Sequence, residues 1–222
     1  ARATGNELVR FMTPFAFMFL LFMGTFGISQ GLLTSLIEEK STRVVEVLLS
    51  AVSPLPLMAG MFVVLVGGGL LLRGVWGGLG FGSARYHDMA YLVTVPQLVY
   101  AALYFVPAFL LYAALLGGIG AACNTLKEAQ SMTFPLSIVT TVPLLLWFQI
   151  SEHPTSLLSM VLSFVPPVTP FVMMLRLSAD PLTPLWQVVA TLGLLWLTVL
   201  AAIWAAAKVF RVGVLMYGQP PT

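Results

Sequence analysis

The sequence predicts an all-α integral membrane protein, and three observations carry that prediction. Of its 222 residues, 59% are hydrophobic and only 8% are charged, with a mean hydropathy of +0.98. A soluble domain carries about 25% charged residues, so the solvent for most of this chain is lipid. Five apolar runs approach the roughly 20 residues that a helical span needs. The charged residues fall mainly between these runs, most densely in IEEKSTRVVEVLLSAVSP at 37–54.

The runs give the elements in order. The first is 13–35, where Thr13 can cap the helix and Pro14 suits its first position. The second, 57–80, is rich in glycine, and the third, 96–120, opens on a proline. The fourth is 131–150, and the fifth is 184–208, opened by Thr183 and Pro184. One further apolar stretch, 154–177, is interrupted by Pro166, Pro167 and Pro170. Its piece from Leu157 to Val165 makes a helix of about 13 Å, under half of a hydrocarbon core about 30 Å thick. Three prolines forbid a straight continuation, and Thr169-Pro170 reads as a new helix start. We therefore expect two short helices that enter and leave by one face, a re-entrant or interfacial hairpin. A single kinked span is the alternative, and it reverses the last helix.

The segment 37–53 reads as an amphipathic helix. Glu39, Arg43, Glu46, Ser50 and Ser53 make one polar stripe, and Val44, Val45, Leu48, Leu49 and Val52 an apolar one. Glu39 and Arg43 stand four apart with the acid first, the favoured order for a helical ion pair. Pro54 and Pro56 end it. The charges are mixed in sign, which argues against an anionic-lipid patch. The linker also exceeds the roughly 2–8 residues that a helix–helix connection needs. Two readings fit: a connector lying at the membrane interface, or a docking surface for a soluble partner.

Charge alone leaves the orientation open. Five spans put Lys40, Arg43, Lys127, Lys208 and Arg211 on one side, and Arg2, Arg10, Arg73, Arg85 and Arg176 on the other. Setting aside Arg2 and Arg10, as members of a longer upstream segment, favours a cytoplasmic 37–54 loop and C-terminus. The start, ARATGNELVR, has no initiator Met, and we expect a fragment or processed form.

Four stretches carry a family resemblance. LLTSLIEEKSTRVVEVLLSAVSPLPLMAG closely resembles the loop after the second transmembrane helix of ABC-2 type transporter permeases. GAACNTLKEAQSMTFP, SFVPPVTPFVMMLRLSADP and AAAKVFRVGVLMYGQPPT extend the resemblance from about Phe11 to the end. It implies a membrane subunit of an ATP-driven exporter, working with a second permease copy as a homodimer or related heterodimer. ATP and Mg are implied on a separate ATPase subunit, with no cofactor held by this chain. The 37–53 segment corresponds to the coupling helix that meets the ATPase, which nominates Glu38, Glu39, Lys40, Arg43 and Glu46, with Glu128 second. The short helices around Pro166, Pro167 and Pro170 correspond to extracytoplasmic helices of the outer gate. Against the family's usual six spans, the resemblance implies that the first span, and often a large extracytoplasmic domain, would be absent here. Many members carry a Lys where this chain has Met61. The implied location is a bacterial cytoplasmic membrane.

Other chemistry finds little support. There is no GxxxxGK[ST], and VGGGLLLRGVWGG lacks the spacing and the Lys that cradle phosphates. Scattered basic residues and a net charge of +2 do not suggest nucleic acid. The single cysteine, Cys123, excludes an internal disulfide and a cysteine-based zinc site. Glu38, Glu39 and Arg43 fit the EExxxR pattern of CAAX-type intramembrane proteases, but His87 and His153 match none of the histidine motifs that would complete that site. Gly27/Gly31 and Gly74/Gly78 read as small-residue packing contacts, within the bundle or at a dimer interface. Arg73 reads as a snorkelling charge, and Thr125-x-x-Glu128 as a capping box. No residue is nominated as catalytic.

Overall fold

A computed structural model describes residues 3–42, 95–180 and 183–216. All regular structure among them is helical. Helix α1 (Ala3–Phe22) runs through a π-helical turn (Met23–Gly27) into α2 (Ile28–Thr42). Then come α3 (Val95–Ala122), α4 (Leu126–Glu152), α5 (Leu157–Ser163), α6 (Thr169–Ala179) and α7 (Leu185–Met216). Four stretches are long and apolar enough to cross a membrane: Pro14–Glu38, Pro96–Ala122, Leu126–Glu152 and Leu185–Val209. The fifth expected span, 57–80, lies outside the described residues, as does the amphipathic segment beyond Thr42.

Two boundaries differ from expectation. Pro14 does not open the first helix but stands inside it, and the helix begins at Ala3. An internal proline removes one ladder bond, which neighbouring turns of a membrane helix make good. Ile37 does not begin a separate helix either, because α2 continues through it to Thr42. No glycine or proline stands between Leu32 and Thr42 to stop it, so the lipid boundary there is one of composition and not of conformation.

Contacts fix the directions of the helices. Phe26 meets Tyr112 edge-on at 5.8 Å, and Gly120 sits under Leu33 and Leu36, so α2 and α3 run parallel. Tyr104 pairs with Thr191 at 2.7 Å and Gly118 abuts Ala206, so α7 runs the same way. Helix α4 runs opposite: Ala129 clusters with Leu33 and Ile37, while Trp147 meets Phe15 at 4.9 Å. One end of the bundle thus holds Glu38, Lys127, Glu128 and Lys208, and we call it the charged end. The other holds the α4–α5 junction and the start of α7. Since α4 arrives there and α7 leaves from there, the stretch between them does not cross, which excludes the single kinked span.

The core lies where α1, α3, α6 and α7 converge. Phe17, Met18, Leu21, Tyr104, Ala108, Tyr112, Phe171, Met174, Leu195 and Val199 are all buried within it. Helix α4 and helix α7 keep broad apolar faces outward, including Phe134, Leu145, Leu197 and Trp204. Such faces suit lipid, which does not penalise exposed hydrocarbon.

Candidate functional site

The proline-broken stretch folds into a hairpin of α5 and α6. Ser156 caps α5 by accepting from the Ser159 N–H at 3.2 Å. Pro166 and Pro167 fill the turn, half-buried, and Pro170 is buried in the first turn of α6. Every residue from Thr169 to Leu177 is buried, so α6 has no outward face. A helix apolar all round belongs inside a bundle. Helix α6 packs on α1, α4 and α3, and is therefore not interfacial. At the tip, the Tyr112 hydroxyl donates to the Pro167 carbonyl. Tyr112 is about 25 Å along α3 from Val95 at 1.5 Å per residue, so the tip reaches deep into the bundle.

A turn at that depth is viable only if its polar groups find partners within the protein. Here they do. The Ser159 hydroxyl donates to the His153 carbonyl at 2.9 Å, and the Ser163 hydroxyl to the Ser159 carbonyl at 2.7 Å. The Thr169 hydroxyl lies 2.8 Å from the Ser163 carbonyl and 2.9 Å from that of Val165.

The hub of the hairpin is Arg176, 1% exposed. Its Nε donates to the Pro154 carbonyl at 2.7 Å, Nη1 to Ser163 Oγ at 2.9 Å, and Nη2 to Gln187 Oε1 at 2.6 Å. One planar guanidinium thus ties the loop after α4, the end of α5 and the first turn of α7. From the sequence, Arg176 was only one of the cations of one side. The readable signal was a lone arginine inside the apolar MMLRL run, which demands buried acceptors. Which groups supply them depends on how three distant segments meet.

Of the nominated coupling residues, those the structure describes fall at the opposite end. Glu38 is exposed near the end of α2. Glu39 and Lys40 follow in the same helix, with side chains outside the described set, and Arg43 and Glu46 lie wholly outside it. Glu128 is exposed in the first turn of α4 and completes the capping box. Its Oε2 accepts from the Asn124 N–H at 3.1 Å, and its own N–H donates to Thr125 Oγ1 at 3.3 Å. Ile37 and Ala129 share one small cluster, so Glu38 and Glu128 stand at the same level. Lys208 joins that level, its Nζ 3.8 Å from the centre of the Trp204 ring. His153 closes α4 at the far end, so Glu38 and His153 do not form one site.

The glycines also divide. At Gly120 an added Cβ would lie 2.9 Å from Leu36 Cδ2 and 3.0 Å from Leu33 Cδ1, a close helix contact. Gly27 and Gly31, the pair nominated for packing, have nothing within 4 Å of such an atom.

The comparisons agree with this architecture. The family model for ABC-2 family transporter proteins matches residues 3–208. The uncharacterised protein MJ1024 of Methanocaldococcus jannaschii is 30% identical over 208 residues, covering 94% of this chain and 51% of that protein. The uncharacterised protein YhaP of Bacillus subtilis is 24% identical over 217 residues, covering 91% of this chain and 51% of that protein. The chain therefore spans about half the length of the curated relatives it matches. No solved structure matches. With a family match that takes in all four long apolar helices and the hairpin, the chain belongs to the ABC-2 family of transporter proteins.

Proposed function

We propose that this chain forms the translocation path of an ATP-driven exporter and is driven by a separate ATPase subunit. The observation that carries the reading is the family match across 3–208. Two copies enclose the path, as a homodimer or a related heterodimer, in a bacterial cytoplasmic membrane. The ATPase docks at the charged end, through Glu38, Glu39 and Lys40 and the following Arg43 and Glu46 of the sequence, with Glu128 as a second contact. That end is cytoplasmic. The hairpin bearing Pro166, Pro167 and Pro170 works at the outer gate. ATP and Mg belong to the partner.

A fifth crossing fits the directions of the described helices. Helix α2 ends at the charged end, and α3 starts at the other and runs parallel to α2. The apolar run 57–80 between them is long enough to cross, and the parallel directions of α2 and α3 support a fifth span there.

The test is co-purification of the full-length protein in mild detergent, then ATPase assay of wild type and of Glu39→Lys plus Arg43→Glu. A nucleotide-binding subunit that accompanies the wild type and is lost from the variant supports the docking assignment. A folded preparation with no ATPase partner would overturn the exporter reading.

A further inference from the structure

We propose that the π-helical turn Met23–Gly27 is the mechanical joint of the first span. It separates a half that moves with the hairpin from a half that moves with the charged end. The joint itself stands on the geometry below; the claim that ATP drives it rests on the exporter reading.

The packing changes partner at this turn. Above it, α1 packs chiefly on α6, with Phe22 edge-on to Phe171 at 5.5 Å and Phe15 against Trp147. Below it, α2 packs chiefly on α3, with Leu33 and Leu36 over Gly120. One continuous helix thus belongs to two different packing units, and the turn lies at the changeover.

The turn is built to hold one extra residue. A π turn within an α-helix widens the ladder by one position, and such turns recur at functional sites. Thr25, fully buried within it, donates from Oγ1 to the Leu21 carbonyl at 2.7 Å. That bond serves a carbonyl next to the widened ladder. Gly24 and Gly27 stand on either side of Thr25, and each weakens regular helix relative to alanine.

The turn also reaches the hairpin through Tyr112 of α3. Phe26 meets Tyr112, and Tyr112 meets Phe171 at 6.0 Å and donates to the Pro167 carbonyl. Moving the extra residue along the helix turns each residue it passes by about 100°. Such a shift takes Phe26 off Tyr112 and loosens the hairpin tip. Just below the turn, Ser29 Oγ is buried without a hydrogen-bond partner. An unmet buried hydroxyl destabilises the present arrangement, and this narrows the gap to one in which α2 has turned.

The test uses a property of π turns. Deleting one residue of the turn, Gly27, returns the span to plain α-helix while leaving both halves on their present faces. The full-length protein in lipid nanodiscs is spin-labelled at Phe19→Cys and Ser35→Cys, exposed positions on either side of the turn. The wild type should give a broad or two-peaked distance distribution, and the deletion a single narrow one. Equal widths would overturn the joint. If the deletion fails to fold, Thr25→Val should shift the distribution and Thr25→Ser should not; indistinguishable Val and Ser variants overturn it equally. A second arm labels α5 at Leu157→Cys, 78% exposed, and adds ATP to the preparation with its ATPase subunit. The hairpin signal should respond to ATP in the wild type and lose that response in the deletion. A passed distance test with no ATPase partner leaves the joint and removes the exporter reading. An ATP-driven hairpin with equal distance widths does the reverse.

Discussion

The buried arginine of the hairpin end and the exposed charges of the other end are handled in opposite ways, although Glu152 and His153 are exposed at the hairpin end too. At the hairpin end, Arg176 is withdrawn from solvent and its Nε, Nη1 and Nη2 each meet a named protein acceptor. At the charged end, Glu38, Lys127, Glu128 and Lys208 are exposed. A buried cation reports on the fold, since it must be satisfied wherever the chain puts it. An exposed set of both signs costs the fold little. The difference separates residues whose loss should unfold the protein from residues whose loss should uncouple it.

The sharpest way to break this contrast is Arg176→Ala. It removes the donors to the Pro154 carbonyl, Ser163 Oγ and Gln187 Oε1 at once. Leaving buried acceptors unmet should cost on the order of 3–5 kcal/mol. We expect a large drop in the thermal midpoint in detergent, with Arg176→Lys only partly restoring it because an ammonium lacks the planar fork. An alanine variant that melts like wild type would mean that the hairpin is held by its apolar packing alone.

A smaller effect is expected at Gly120→Val. The added atoms collide with Leu33 Cδ1 and Leu36 Cδ2, which are flexible ends and yield in part. Overpacking of this kind costs roughly 1–3 kcal/mol. Leu36→Ala should recover some of that loss, and a double-mutant cycle with no coupling would place the clash elsewhere.

Thr125→Ala probes the charged end in its structural role. The substitution deletes the acceptor of the Glu128 N–H and should cost about 1 kcal/mol. If Glu128 also faces a partner, Glu128→Gln should lower partner affinity more than it lowers the melting midpoint. Equal effects on both would confine Glu128 to capping.

Much of this architecture was legible in the chain. Hydropathy marked the long helices, and the capping box placed the start of α4 at Thr125 better than the apolar run beginning at 131 did. Pro166, Pro167 and Pro170 announced the hairpin because proline acts locally on its own backbone. What the sequence hid is relational. The π turn occupies MGTFG, whose glycines signal weak helix but not which register wins. The acceptors of Arg176 come from positions 154, 163 and 187, and no local pattern joins them. Helix ends misled where composition changed and conformation did not, as at Ile37. Gly27 and Gly31 make no close helix contact within the chain, since small residues permit close approach without requiring it.

The mildest prediction tests whether the hairpin end is held only locally. Tyr104 on α3 reaches Thr191 on α7 at 2.7 Å, just over one turn beyond Gln187, which Arg176 grips. Thr191 Oγ1 also lies 2.7 Å from the Gln187 carbonyl. Two routes therefore hold the first turns of α7, one from the hairpin and one from α3. Hydrogen bonds between membrane helices average about 0.6 kcal/mol, so Tyr104→Phe alone should barely move the melting midpoint. Combined with Gln187→Leu, which removes the acceptor for Arg176, it should cost more than the sum of the two single changes, because neither route then remains. Strict additivity in that cycle would show the two grips to be independent. The hairpin and α3 would then hold α7 separately, and the start of α7 could follow one without the other.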